Sequence, residues 1–120
     1  MFPDNKPITI LLVSQPGIMH NVLHSILQSL SCATVLDANG AFTAYTILET
    51  KPVDAIIIDA NIPFAESQAL ITRIKNNYPH IQCLAFTATT KEKRLLQSAG
   101  ADKILFQNCS LQEIEEAVFS

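Results

Sequence analysis

Few side chains in this 120-residue sequence combine a reactive type with a meaningful spacing. His20 and His24 stand one helical turn apart, a spacing that can hold zinc. Cys32, Cys83 and Cys109 are odd in number and widely spaced, without a Cys-x-x-Cys; that argues against a disulfide framework or a thiolate zinc centre and suits reduced thiols. Asp59 closes an apolar run and precedes Asn61 and Pro63, where a carboxylate can simply cap the following turn. Lys91, Lys93 and Arg94 form a small basic cluster, and Glu113, Glu115 and Glu116 an acidic one, runs that usually form wet helix faces. Nothing resembles a nucleophile–base pair, a glycine-rich phosphate loop or a dinucleotide fingerprint. What these residues do depends on the elements that place them.

Two local periods alternate along the chain. Ile8 to Val13 is a near-continuous apolar and β-branched run, as expected of a strand buried on both faces. From Gly17 to Leu30 the spacing turns helical. Ile18, Met19, Val22, Leu23, Ile26, Leu27 and Leu30 make the apolar side, and His20, Asn21, His24, Ser25 and Gln28 the polar one. On this reading the histidines are solvated, with no third ligand near them. Ala33 to Leu36 reads as a short strand, and Asn39 as the N-cap of a helix through Glu49 that Lys51-Pro52 stops.

Val53 to Asp59 is a third strand, Ala65 to Asn77 a helix with Leu70, Ile71 and Ile74 inward, and Ile81 to Phe86 a fourth strand. Thr89-Thr90-Lys91-Glu92 has capping-box spacing for a helix that ends at Ala99-Gly100, where glycine suits a left-handed position. Lys103 to Phe106 is a fifth strand. Ser110-Leu111-Gln112-Glu113 is a second capping box, opening a helix with Ile114, Ala117 and Val118 inward.

Five β-α units in series require parallel strands with right-handed crossovers and helices on both faces. The expected fold class is α/β, a doubly wound (βα)5 sheet; five strands and five helices suggest the order 2-1-3-4-5, which periodicity alone does not fix. The loops after the strands then gather at one edge, lined by Ser14-Gln15, Asp59-Ala60-Asn61, Thr87-Ala88 and Gln107-Asn108. Composition agrees: 48% hydrophobic and 16% charged residues can fill the core of one domain spanning residues 1–120. A net charge of -3 gives no overall positive field to draw nucleic acid. Met1 to Pro7 contains no basic region leading into an apolar run, and the apolar stretches are too short to cross a bilayer. A cytoplasmic domain that touches neither membrane nor nucleic acid is expected.

With the elements in order, three short runs become specific. Asp59-Ala60-Asn61-Ile62-Pro63, Phe86-Thr87-Ala88 and Ala99-Gly100-Ala101-Asp102 resemble the receiver domain of bacterial two-component response regulators, a flavodoxin-like fold, over essentially the full chain. The resemblance implies that Asp59 occupies the phosphoacceptor position, which takes a phosphoryl group from a histidine kinase. It also exposes departures. The family's two acidic residues after strand one are Ser14 and Gln15 here, its lysine-proline after strand five is Gln107-Asn108, and its aromatic switch inside strand five is Ile104.

Each departure has a chemical meaning. Asp59 and an incoming phosphoryl group are both anionic, and a magnesium ion and a cationic side chain normally neutralise that charge. With Asp59 as the one certain anionic ligand and the Asn61 carbonyl beside it, magnesium affinity is expected to be weak, and no other metal or cofactor is expected. Gln107 can donate a hydrogen bond to phosphate but carries no charge. Thr87 is either part of such a site or a strand-end hydroxyl bonded to nearby backbone. Gln107 and Asn108 read first as loop residues without chemistry.

The leading expectation is a degenerate receiver, a pseudo-receiver: a non-enzymatic, phosphorylation-independent signalling domain acting through protein–protein contacts. The face of the fourth helix, fifth strand and fifth helix, with Lys91, Lys93 and Arg94 against Glu113, Glu115 and Glu116, would hold a protein partner or a second copy. A histidine kinase is a further partner that the resemblance implies. The short last helix, stopping at Ser120, suggests the N-terminal part of a longer protein. Two alternatives stand beside this: a slow phosphoacceptor using Asp59 with magnesium, and a small-ligand sensor at the rim.

Overall fold

Two apolar runs pair inside the sheet: β1 (Ile8–Val13) lies between β3 (Ala55–Ile58) and the edge strand β2 (Ala33–Ala38). β4 (Gln82–Thr87) and β5 (Lys103–Phe106) extend the sheet beyond β3, giving the parallel order 2-1-3-4-5. The structure, a computed structural model, describes residues 7–29 and 33–119, the side chain of Phe119 excepted. Leu30, Cys32, the first six residues and the stop at Ser120 lie outside the described residues.

Because successive strand side chains point to opposite faces, a strand covered on both must be apolar throughout. Leu11, Val13, Ile56, Ile58, Cys83 and Ala85 face α2 (Ala41–Thr50), α3 (Phe64–Asn77) and α4 (Thr90–Ala99). Ile10, Leu12, Ala55, Ile57, Leu84 and Phe86 face α1 (Ile18–Ser29) and α5 (Leu111–Phe119). Among the described residues no helix is long and apolar enough to cross a membrane.

The run from Ala99 to Asp102 shows why its residue types are needed. Gly100, at φ +115°, closes α4 with a Schellman pattern: its N–H donates to Gln97 O and Leu96 O, and the Ala101 N–H to Leu96 O. A Cβ on Gly100 would also lie 2.8 Å from Lys75 Cγ. Lys75 approaches because its ammonium donates to Ile81 O and pairs with Asp102, whose carboxylate also accepts from the Cys83 N–H at 2.7 Å. The motif ties α3, β4 and β5 together.

Three details differ from the sequence expectation. β2 runs on to Ala38, pairing Asp37 with Leu12 and Ala38 with Val13, because an edge strand accepts a polar residue where its side chain finds a partner. Asn39 does not cap α2. Gly40 stands at the N-cap, the Ala41 N–H donates to Glu66 Oε1 from α3 at 3.3 Å, and Asn39 Oδ1 accepts from Thr43 instead. Finally, α1 is turned about its axis. It buries Leu23 and Leu27 but leaves Ile18, Met19 and Val22 84%, 51% and 45% exposed, while His20 and His24 are half-buried against β2. The apolar stripe of α1 is wider than one sheet contact can cover, and Asp37 supplies hydrogen-bonding partners on the histidine side.

Candidate functional site at the sheet edge

The parallel ladders continue past the strand ends and hold the rim residues in place. The Asp59 N–H donates to Val13 O at 2.9 Å, the Ser14 N–H to Ala38 O at 2.9 Å, and the Gln107 N–H to Thr87 O at 2.9 Å. These bonds fix the β1–α1, β3–α3 and β5–α5 turns side by side, as expected of strand C-terminal ends in a doubly wound sheet.

At the centre, Asp59 is 5% exposed and Ser14 fully buried. The Ser14 hydroxyl donates to Asp59 Oδ2 at 2.8 Å, and the Ala60 N–H donates to Asp59 Oδ1 at 2.7 Å. Asn61 bridges to the neighbouring turn: its Oδ1 accepts from the Gln15 N–H at 3.1 Å, and its Nδ2 donates to Ser14 Oγ and Gln15 O, both at 3.4 Å. Both Asp59 oxygens are thus engaged by neutral donors. Ser14, Gln15, Asp59 and Asn61 form one connected network, while the Gln15 side chain points to solvent.

Thr87 is buried and shares a small cavity of about 60 Å³ with Asp59, Ala60 and Phe86. Its hydroxyl donates to Glu92 Oε1 at 3.0 Å. The expected backbone partner is at best secondary, since Thr89 O lies 3.5 Å away. Glu92 is a site residue that sequence reasoning missed. The capping box of α4 is therefore half-formed: Thr89 Oγ1 accepts from the Glu92 N–H, while the Glu92 carboxylate turns to Thr87. The box opening α5 is reciprocal, with the Glu113 N–H donating to Ser110 Oγ at 3.2 Å and the Ser110 N–H to Glu113 Oε1 at 3.3 Å.

Gln107 is exposed and lines a second cavity, of about 610 Å³, with Asp59, Asn61 and an apolar wall that includes Met19, Val22, Phe86, Leu111 and Ile114. Burial, then Glu113, pushes the Cys109 thiol at this wall above its ordinary value, so it is no ready nucleophile. Ile104 pairs with Ala85 and packs, half-buried, against the α3–α4 side of the core. Lys91, Lys93 and Arg94 lie on α4, and Glu113, Glu115 and Glu116 on α5. Lys93 Nζ stands 5.6 Å from the centre of the Phe106 ring on β5, and Glu116 accepts from Gln112.

The receiver family implies a magnesium ion beside Asp59. The donors here are one buried carboxylate, a hydroxyl, a carboxamide and backbone carbonyls, with both carboxylate oxygens already accepting protein hydrogen bonds. A hard dication that favours several anionic or water oxygens fits this set poorly.

Comparison with known proteins agrees with the fold. The response regulator receiver domain family matches residues 10–119. The chain belongs to that family. It is 25% identical over 99 residues to chemotaxis protein CheY-3 of Vibrio cholerae, covering 81% of this chain and 76% of the relative. The signal receiver domain of an HD domain-containing protein from Pseudomonas fluorescens Pf-5 superposes with a TM-score of 0.84 at 25% identity, over 94% of this chain and 92% of the other. The receiver domain of the sensor histidine kinase PA1611 from Pseudomonas aeruginosa, solved with magnesium coordinated in its active-site cleft, gives 0.81 at 20% identity over 94% and 95%. The last likeness speaks for the fold alone.

Proposed function

We propose that this receiver domain signals through protein–protein contacts without phosphoryl transfer to Asp59. The observation that carries the reading is the hydrogen bond from Ser14, at a position where the family has an acidic residue, to Asp59 Oδ2 at 2.8 Å. A neutral hydroxyl takes the carboxylate oxygen that a cation would otherwise approach. Gln107, in place of the lysine, brings no charge to offset a phosphoryl group.

The test restores the charges. Ser14→Asp, Gln15→Asp and Gln107→Lys together should raise the labelling of Asp59 by an acyl phosphate with magnesium by at least about a hundredfold over the parent. Phosphate mass on Asp59, lost in Asp59→Asn, is the readout. A parent labelled as fast as the triple variant replaces this reading with the slow-phosphoacceptor alternative.

The proposed contact surface is the α4–β5–α5 face. Lys91, Lys93 and Arg94 of one copy can meet Glu113, Glu115 and Glu116 of a second copy or of an acidic partner, because a two-fold axis makes each contact twice. Exposed pairs contribute only about 0–1 kcal/mol each, so apolar surface of the same face, Phe106 at 36% exposure within it, must supply much of the affinity. Reversing the three basic charges should weaken self-association or partner capture and reduce its salt sensitivity. Unchanged sedimentation and pull-down would move the interface elsewhere.

One observation favours a second reading. The cavity of about 610 Å³ has an apolar wall with Asp59, Asn61 and Gln107 at its mouth, the chemistry of a site for a small apolar ligand with one polar end. Ligand-dependent melting of the chain, abolished by filling the wall with Val22→Phe, distinguishes this sensor role.

A further inference from the structure

The extension of β2 brings a third residue to the histidine pair. Ala33 and Val35 point toward the α1 side of the sheet, and by strand alternation Asp37 continues their line. His20 and His24 meet it from α1: His20 Nε2 lies 2.9 Å and His24 Nδ1 3.0 Å from the same oxygen, Asp37 Oδ1. The three ligand atoms all lie within 4.8 Å of one another.

The other nitrogen of His20 decides the chemistry. His20 Nδ1 is 3.1 Å from the backbone carbonyl of Ser14, which can only accept, so Nδ1 carries the proton. Nε2 then directs a lone pair at a carboxylate oxygen unless a positive species stands between them, either a second proton on the ring or a metal ion. A metal engages all three groups at once. It also matches the usual outer-shell arrangement, in which a ligating imidazole donates its remaining N–H to a backbone carbonyl.

We propose that His20 Nε2, His24 Nδ1 and Asp37 Oδ1 form a binding site for a borderline divalent metal of the zinc type, distinct from the Asp59 rim. Two imidazoles and one carboxylate suit zinc and not magnesium. Tetrahedral zinc at about 2.0–2.1 Å from each ligand sets neighbouring donors roughly 3.3 Å apart, so the two nitrogen–oxygen distances need open by a few tenths of an ångström, and the nitrogen–nitrogen distance already lies within 4.8 Å. Side-chain exposures of 16% for His20, 28% for His24 and 39% for Asp37 leave an entry path and room for a water as fourth ligand. Ser14 joins the two regions, its carbonyl accepting from His20 and its hydroxyl donating to Asp59. A bound metal would pin the β1–α1 turn.

The test is a chelator competition with Zn²⁺ on the full, tag-free chain. One zinc per chain with a micromolar or tighter dissociation constant is expected. His24→Gln and Asp37→Asn should each weaken it by about tenfold or more, and Cys109→Ser should leave it within about twofold. The nitrogen resonances of His20 Nε2 and His24 Nδ1 should shift on zinc addition, and magnesium should move neither. Affinity retained in both cluster variants would overturn the proposal by placing the zinc elsewhere. A folded parent that binds no zinc would overturn it by leaving a cluster held by a proton alone.

Discussion

Asp59 and Asp37 stand at the ends of neighbouring parts of one sheet, on opposite sides of β1, and the protein treats them differently. Asp59 is 5% exposed, and each of its oxygens accepts a short hydrogen bond from a neutral donor within the rim. The Asp37 side chain is 39% exposed, and one of its oxygens faces two imidazole nitrogens, 2.9 and 3.0 Å away. The rim is closed on itself: its polar groups hydrogen-bond one another. The cluster is open, and its donors converge on one point. Both sit near strand ends, where turns gather polar side chains.

If that contrast is right, rim substitutions act on folding and cluster substitutions hardly do. Ser14→Ala leaves a buried carboxylate oxygen without its donor and should cost about 1–3 kcal/mol in urea unfolding. A cost near zero would mean that water replaces the hydroxyl and that the rim is as open as the cluster.

Cys83 calibrates the closed extreme. It is fully buried, and desolvation, opposed by Lys75 and reinforced by Asp102, pushes its thiol from 9.0 up to about 12. The folded thiol keeps its proton where the unfolded one loses it, so this contribution is complete below pH 9 and is lost as pH rises from 9 toward about 12. Over that window stability should fall by up to about 1.4 kcal/mol per pH unit more steeply than in Cys83→Ala. Equal slopes in the two proteins would show that the thiol is less enclosed than the fold implies.

At the open end, Asp37→Asn should change stability without metal by less than about 1 kcal/mol, as for exposed ion pairs. A larger loss would make the cluster a structural clamp between α1 and β2. The smallest effect belongs to magnesium: millimolar concentrations should shift the melting temperature of the parent by less than about 1 °C. A shift of several degrees that disappears in Asp59→Asn would reopen the rim as a metal site.

Much of this was legible from residue order. The alternation of buried strands with amphipathic helices requires a parallel sheet covered on both faces, although it does not by itself fix the strand order. The turns carrying Ser14, Asp59, Thr87 and Gln107 follow from that topology, as does their meeting at one edge. The C-terminal glycine of α4 and the serine–glutamate box of α5 were equally readable, because these bonds are local.

Contacts between elements were not readable in this way. The amphipathic pattern of α1 showed two sides but not which edge of a broad apolar stripe the sheet would take. The packing of Leu23 and Leu27 set the rotation and brought His20 and His24 to β2. Asp37 looked like a loop residue because polarity usually ends a strand, yet pairing with β1 carried β2 on to Ala38. Glu92 and Glu66 likewise serve partners in other elements, Thr87 and the Ala41 N–H, that local spacing cannot indicate. Sequence by itself determined the alternating periods, the glycine end of α4 and the box of α5, and with them the fold class. Only tertiary structure decided which polar side chains meet, because those distances depend on the rotation and register of elements far apart in the chain.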